Sequence, residues 1–454
     1  MMEFNHRSYE KGQTIAAVAT PPGEGGIAVI RIAGGRAFDV AERIFSGPIK
    51  KYESHTVHFG KLRDLEGNVI DEVLVVVMKN PRSYTGEDTV EIHCHGGTVV
   101  TKKVLEATLS AGARAALPGE FTFKAFQNGK IDLTKAEAVQ QVIASKSEMA
   151  WQAAENHLEG KLFSKISSFQ KELTETAAIL EAWVDFPEEG LEFATKDELL
   201  ISLKNLSECM AALHRTFYDG RHLKLGFSLC LIGAPNVGKS SLMNALTGKE
   251  RAIVTNIPGT TRDLLEEEVQ IAGLHFRLID TAGIRDTEEI IEKEGIRRSE
   301  KAAKEADLVL VVYDVTNPTH LPLHLPENKT IAIWNKVDLQ HEEYETLPYS
   351  HVVKVSAKEG LGVQALKDEI HTVLWEKGPP SKEELLLTSE RHYQALGNAI
   401  SALRTVIDGL QTEISPEFLV SDLRQALKEL GTIIGMNITE DVLSAIFSKF
   451  CVGK

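Results

Sequence analysis

Apolar positions along this chain do not keep one period, and each change of period predicts a different kind of element. Up to about residue 128, short apolar runs (Ile27 to Ile32, Val73 to Met78, Thr89 to Cys94) read as strands, alternating with helix-like stretches from Arg36 to Phe45 and Thr98 to Ser110. From about residue 130 the spacing turns helical, through Ala136, Val139 and Ile143 and then Leu162, Ile166, Phe169, Leu173 and Leu180, with a break at the DFPEEG stretch of residues 185–190. The middle of the chain alternates again. Phe227 to Ile232 is a buried-strand run, Lys239 to Thr247 carries Leu242 and Leu246 one helical turn apart, Leu308 to Val312 is strongly apolar, and strands end at Ile279 and Asn335. After Gly378, Pro379 and Pro380 the helical period returns in Leu396, Leu403, Ile407, Leu410, Leu419, Leu423, Leu427 and Leu430.

The pattern predicts a multidomain α/β plus α protein. Its parts are an N-terminal α/β domain (1–128), a helical domain in two pieces (129–224 and 378–454) and a complete α/β domain inserted between them (225–377). An insertion of this kind is economical because the ends of a domain often lie close together. No internal repeat or low-complexity segment interrupts the plan.

Composition narrows the class. A length of 454 residues exceeds one core and predicts two to four domains, and 43% hydrophobic with 25% charged residues is ordinary for a soluble globular protein. No apolar run approaches the ~18 residues of a membrane span, and the N-terminal MMEFNHRSYEKGQ lacks a signal-peptide core, so a cytoplasmic location is expected. Cys94, Cys209, Cys230 and Cys451 are far apart, which suits a reducing compartment. The net charge of −15 disfavours nonspecific nucleic-acid binding, so an RNA partner has to be held by a local patch or a second protein.

The most informative motif is GAPNVGKSS, Gly233 to Ser241, between a predicted strand and a predicted helix. It fits the phosphate-loop pattern, in which Gly233 and Gly238 turn backbone N–H groups toward phosphates, Lys239 places a charge on them and the Ser240 hydroxyl serves Mg²⁺. Asn236, Val237 and Ser241 complete the loop. Thr255, Asn256, Ile257, Pro258, Gly259, Thr260 and Thr261 form a polar switch-like loop, with Thr261 as a second Mg²⁺ hydroxyl. Asp280, Thr281, Ala282 and Gly283 follow a strand, Asp280 to hold Mg²⁺ through water and Gly283 to reach the γ-phosphate. Asn335, Lys336 and Asp338 read the base, since a carboxylate accepts from guanine's N1–H and exocyclic amine and would face an acceptor on adenine. Ser356, Ala357 and Lys358 supply an N–H for the guanine oxygen. Five such motifs in order over about 125 residues predict a Ras-like P-loop domain that binds GTP.

One absence carries information: Ile284 follows Gly283 where Ras-type enzymes place the water-orienting glutamine. The Asn236 amide, with carbonyls of the 255–260 loop, has the donors for a monovalent cation that would take the place of an arginine finger. Asp286, Glu288, Glu289, Glu292 and Glu294 are the nearby carboxylates for orienting water, and a solvated acidic helix start would look the same. In the first domain, the loops at 20–26, 83–88, 93–97 and 117–122 concentrate glycine, proline and polar groups, as plain turns or as walls of a ligand site. His93 and His95 share one side of a strand, a pairing a metal would use, with no third ligand near in sequence.

With these motifs in place the chain resembles, from end to end, the bacterial MnmE (TrmE) family of tRNA modification GTPases. The resemblance rests on ATPPGEGGIAVIRI, SYTGEDTVEIHCHGG, LPGEFTFKAFQNGKIDL, DFPEEG, GAPNVGKSS, TNIPGTTRD, DTAGIRDTEE and the terminal IFSKFCVGK. It implies an N-terminal folate-binding domain that makes a homodimer, a helical domain, and a G domain activated by K⁺ when two G domains meet. It also implies a FAD-containing MnmG-like partner in a heterotetramer. Together they add an aminomethyl or carboxymethylaminomethyl group to carbon five of the wobble uridine, drawing on 5-formyl- or methylene-tetrahydrofolate. By position, Arg31, Glu91, Lys130 and Lys454 fall on folate contacts, Asn236, Thr255, Ile257 and Thr260 on K⁺ ligands, and Glu292 on the water-orienting carboxylate. Ala234 departs from a basic residue and Asn256 from an aspartate in many relatives.

Chemistry is compatible with this. A pterin offers N–H donors to a carboxylate such as Glu91, and a glutamate tail suits Arg31 or Lys130. Cys451, flanked by Lys449 and Lys454, is expected to serve the tRNA chemistry, since no nucleotide site calls for it. The alternative is an Era-like GTP-dependent switch in ribosome assembly, which needs neither the N-terminal loops nor the CVGK ending.

Overall fold

Among the described residues, aliphatic and β-branched side chains gathered in short runs build two six-stranded sheets. The computed structural model describes residues 12–185, 195–248, 268–279, 293–319, 322–339, 346–375 and 378–453. The first sheet comprises β1 (Ile15–Val18), β2 (Ile27–Ala33), β3 (Thr56–Arg63), β4 (Val69–Met78), β5 (Thr89–His95) and β6 (Arg114–Ala115), in the order β3-β4-β5-β2-β1-β6. Its pairs are antiparallel except β1 with β6. Helices α1 (Ala37–Ile44) and α2 (Thr98–Ser110) bury Val40, Ile44 and Val104 with Ile30, Ile32, Val75 and Ile92. Alternation sends Val57 and Phe59 of β3 the other way, where they are 57% and 69% exposed, opposite Val76 and Leu74 of β4.

One loop expectation needs correction. The 117–122 stretch is a loop only as far as Gly119, because α3 (Glu120–Gln127) begins inside it. The buried Glu120 carboxylate accepts from Leu117 N at 2.7 Å and pairs with Arg114, while Phe121 and Phe123 are buried. Two aromatics within one turn gain more from a helix packed inward than from a solvated loop.

Further along come α4 (Leu133–Ala144), α5 (Glu148–Leu158), α6 (Lys161–Asp185), α7 (Lys196–Arg215) and α8 (Phe217–Leu225). The second sheet follows with β7 (Phe227–Gly233), α9 (Lys239–Thr247), β8 (Glu268–Ile271), β9 (Leu274–Ile279), α10 (Lys293–Glu305), β10 (Leu308–Asp314), β11 (Thr330–Asn335), β12 (His351–Val355) and α11 (Val363–Leu374). The chain closes with α12 (Glu390–Gln411), α13 (Pro416–Ile434) and α14 (Glu440–Phe447). Contacts divide it into two units, Met1–Gln140 with His157–Ser207 and Ala395–Lys454, and Gln141–Asn156 with Glu208–Gln394. In the first unit α6 packs along α13, through Leu162, Ile166, Phe169 and Leu173 on one helix and Leu419, Leu423 and Leu430 on the other.

In the second unit the strand order is β12-β11-β10-β7-β9-β8, and every pair is parallel except β8 with β9. Strands β10 and β11 are buried along their whole length, as expected of a parallel sheet covered on both faces. The core of this sheet reaches beyond residues 225–377, because Ala153 of α5, Leu223 of α8 and Leu386 join Phe227 and Phe276 in one cluster. Among the described residues, no helix is long and apolar enough to cross a membrane.

Candidate nucleotide site and the terminal motif

Register places the ends of three parallel strands side by side: Val312 of β10 pairs with Gly233 of β7, and Asp314 with Asn335 of β11. The loops that leave these ends therefore gather at the carboxyl edge of the sheet, where open α/β sheets hold ligands. The GAPNVGKSS loop turns through Asn236 at φ 63° and Gly238 at φ 95°, and α9 starts at Lys239, so that the amino end of the helix adjoins the loop. Gly238 is required twice over. Its φ is left-handed, and a Cβ there would lie 2.4 Å from Nδ2 of Asn335. The buried Lys239 ammonium donates to Gly233 O at 2.9 Å and Ala234 O at 3.0 Å, so the charge lies across the loop. Ser240 is exposed beside it.

Asn335 ties three loops together. Its Nδ2 donates to Val237 O at 2.8 Å, and its Oδ1 accepts from Ala357 N at 3.1 Å, while the side chain itself is buried. Lys336, at φ 65°, donates to Asn236 O at 2.9 Å and pairs with Asp314 at 2.5 Å. Burial pushes the Asp314 carboxyl up, but hydrogen bonds from Lys336 and from the Thr316 hydroxyl and amide outweigh it and hold it below the usual value. Asp338 follows half-buried, and Ser356 is fully buried with its N–H on Leu361 O. The structure thus brings Asn236, Val237, Gly238, Lys239, Asn335, Lys336 and Ala357 into one constellation. Thr255, Asn256, Ile257, Pro258, Gly259, Thr260, Thr261, Asp280, Thr281, Ala282, Gly283, Glu292 and Lys454 lie outside the described residues.

The sequence reasoning missed Asp314. Its signal was present, a lone carboxylate closing the otherwise apolar run LVLVVYD. Such a charge at a strand's carboxyl end needs a partner, and the partner is Lys336.

The other candidates lie in the first unit. Arg31 and Glu91 face each other across β2 and β5 and form an ion pair, Nε to Oε1 at 2.8 Å. The second Glu91 oxygen lies 3.6 Å from His93 Nε2. Arg31 also donates to the carbonyl of Gly453 at 3.2 Å. Lys130 does not join them: it donates to Pro81 O and lines a cavity of about 440 Å³ with Asn80, Gly86, Glu87, Asp88 and Asn128. His93 and His95 go separate ways, the latter bonding Asp71 at 2.8 Å, and no cluster of three metal-binding side chains forms among the described residues. Cys451 is exposed, and its carbonyl accepts from Gly119 N at 3.4 Å.

A parallel sheet with a phosphate loop after its first strand, clamped by an Asn-Lys pair at the end of a later one, defines a P-loop GTPase domain. Residues 133–451 match the family model for the MnmE helical domain, and residues 14–130 match the GTP-binding protein TrmE N-terminus. The tRNA modification GTPase MnmE of Protochlamydia amoebophila is 57% identical, with 100% of each chain covered. Those of Chlamydia trachomatis serovar D and Acetivibrio thermocellus are each 43% identical over 98% of this chain and 100% of their own. Among solved structures, the G domain of the T. maritima FeoB iron transporter is 31% identical, covering 33% of this chain and 99% of its own, with a TM-score of 0.24. The chain belongs to the MnmE family of tRNA modification GTPases and is a GTP hydrolase of tRNA modification.

Proposed function

We propose that the chain is a K⁺-activated GTPase that works as a homodimer with an MnmG-like FAD protein. Its turnover drives addition of an aminomethyl or carboxymethylaminomethyl group to carbon five of the wobble uridine of certain tRNAs, from a tetrahydrofolate one-carbon donor. The observation that carries the nucleotide part is the Asn335 clamp, which makes the phosphate loop and the base-reading loops one site. Within it Asp338 reads guanine, Lys239 neutralises phosphate charge, and Gly238 with the start of α9 offers backbone N–H groups. The exposed Ser240 hydroxyl, with Thr261, suits the hard oxygen shell of Mg²⁺. Asn236 is fixed in its turn by Lys336, so its amide oxygen, with Thr255, Ile257 and Thr260, would hold K⁺. That ion would supply positive charge at the phosphates, and Glu292 orients the attacking water.

The apolar outer face of β3 and β4, with Val57, Phe59 and Leu74, supports the homodimer, because an exposed apolar sheet face of this kind is a natural association surface. For the folate, Glu91 suits pterin N–H donors and Arg31 or Lys130 a glutamate tail. Cys451, exposed in the same unit, serves the tRNA chemistry. The test of the GTPase reading is ion dependence: hydrolysis should be much faster in K⁺ than in Na⁺, and Asn236→Ala should erase the difference. Equal wild-type rates in both salts would remove the cation from the mechanism. Mass spectrometry of wobble uridines from cells lacking the protein tests the tRNA part.

A further inference from the structure

We infer that Arg31 is a latch for the C-terminal tail, a positioning residue that fixes Cys451, and that it reaches this role through Gly453. Position and charge alone suggest Arg31 as a contact for an anionic ligand. Its guanidinium also makes contacts within the chain. Its Nε is held by Glu91 at 2.8 Å, its Cζ lies 5.7 Å from the centre of the Phe121 ring, and its Nη1 donates to Gly453 O at 3.2 Å, across a sequence separation of 422. One arginine thus joins the middle of the first sheet to the end of the chain.

The tail it holds is anchored on both sides of a short arch, whose Cys451 carbonyl accepts from Gly119 N at 3.4 Å. Upstream, Phe447 and Phe450 are buried with Phe123, Leu133 and Ala136, and Phe123 meets Phe447 edge-on with ring centres 5.2 Å apart. Downstream, Gly453 is buried against β1 at φ 96°, where a Cβ would stand 2.4 Å from Val18 O. Only glycine fits, for the angle and for the space. Between the anchors Cys451 and Val452 are exposed, Val452 at 53%. A two-residue arch pinned on both sides presents its thiol in one place, which a free tail does not. Arginine suits the task because its planar fork serves Glu91 and a carbonyl at once, where a lysine offers a single ammonium.

The functional consequence rests on the reading that the terminal motif takes part in tRNA modification, but the latch itself is testable without tRNA or folate. In a Cys209→Ser background, which leaves Cys94 and Cys230 buried, a nitroxide on Cys451 reports tail motion. The parent should show an immobilised spectrum. Arg31→Ala and Arg31→Lys should convert it to a mobile one, and carboxypeptidase release of the last residues should quicken about tenfold, as expected for loss of a charge-assisted hydrogen bond that restrains local opening. Gly453→Ala, which the φ of 96° and the Val18 carbonyl exclude from the docked position, should free the tail as the reference for an undocked end, and Arg31→Lys decides the matter if Arg31→Ala disturbs the sheet. A label that stays immobile in Gly453→Ala, or in a folded Arg31→Ala, overturns the latch. Freed tails with wobble-uridine modification intact would keep the latch and remove the terminal motif from the chemistry.

Discussion

At the carboxyl edge of the second sheet, Asn335 and Lys336 reach the phosphate loop across sequence separations of 98 and 100 residues. On the first sheet, Arg31 reaches Glu91 across 60 and Gly453 across 422. Both regions are therefore assembled from distant pieces. They differ in what each piece prescribes by itself. The nucleotide loops carry their own geometry, with glycine and left-handed residues at fixed offsets, a strand before and a helix after, so each segment is recognisable before it meets the others. The Arg31 region has no such local shape: an arginine and a glutamate on antiparallel strands are ordinary until the chain terminus docks beside them.

The comparison predicts that the two regions can be disabled separately. The largest effect is expected from Cys451→Ser, which should abolish modification of the wobble uridine while K⁺-stimulated hydrolysis stays near wild type. Full modification by this variant would reduce Cys451 to packing. Next, Asp338→Asn should move nucleotide preference from GTP toward xanthosine triphosphate by on the order of 10³-fold, because an amide donates to the xanthine oxygen where a carboxylate cannot. Competition binding with the two nucleotides measures it, and an unchanged margin would assign base reading elsewhere. Glu292→Ala should lower hydrolysis by roughly 10² with GTP affinity nearly intact, the size of lost water positioning. Single-turnover rates at the wild-type value would pass the role to Asp286, Glu288 or Glu289, or to a water held by backbone groups alone.

The smallest effect comes from the opposite edge of the nucleotide sheet, where a lock has nothing to do with GTP. Asp307 accepts from Ser228 N at 2.7 Å and Ser228 Oγ at 2.6 Å, with His222 Nε2 3.3 Å away. Burial pushes its carboxyl up, yet the contacts with His222 and Ser228 prevail and hold it down at about 2. A depressed folded value means that the unfolded chain binds the proton more readily. The stabilisation is therefore complete above the ordinary aspartate value of about 4 and is lost as pH falls from there toward about 2. Asp307→Asn should flatten that part of the acid-unfolding curve and leave hydrolysis alone. An identical curve for both proteins would show that the lock adds nothing.

Much of the architecture was legible because period and composition encode it. The buried runs FSLCLI and LVLVV announced β7 and β10, and the leucine spacing announced α6 and α13. The start of α3 was misread because Pro118 and Gly119 signal a turn, and the burial of Phe121 and Phe123 that favours the helix depends on neighbours far along the chain. Asp314 was passed over because its meaning depends on Lys336, just past the end of another strand.

By itself the sequence determined the nucleotide chemistry: motifs that bind phosphate and base through backbone groups must write their backbone angles into local residue choice, as Gly238 does. Only the tertiary structure decided that Arg31 meets the carbonyl of Gly453 and that Lys130 lines a cavity that Glu91 does not. The reason is physical. A side-chain ion pair or a hydrogen bond to a carbonyl carries no local conformational signature, so its partner is fixed by which strands and helices pack together, and that is a property of the whole chain.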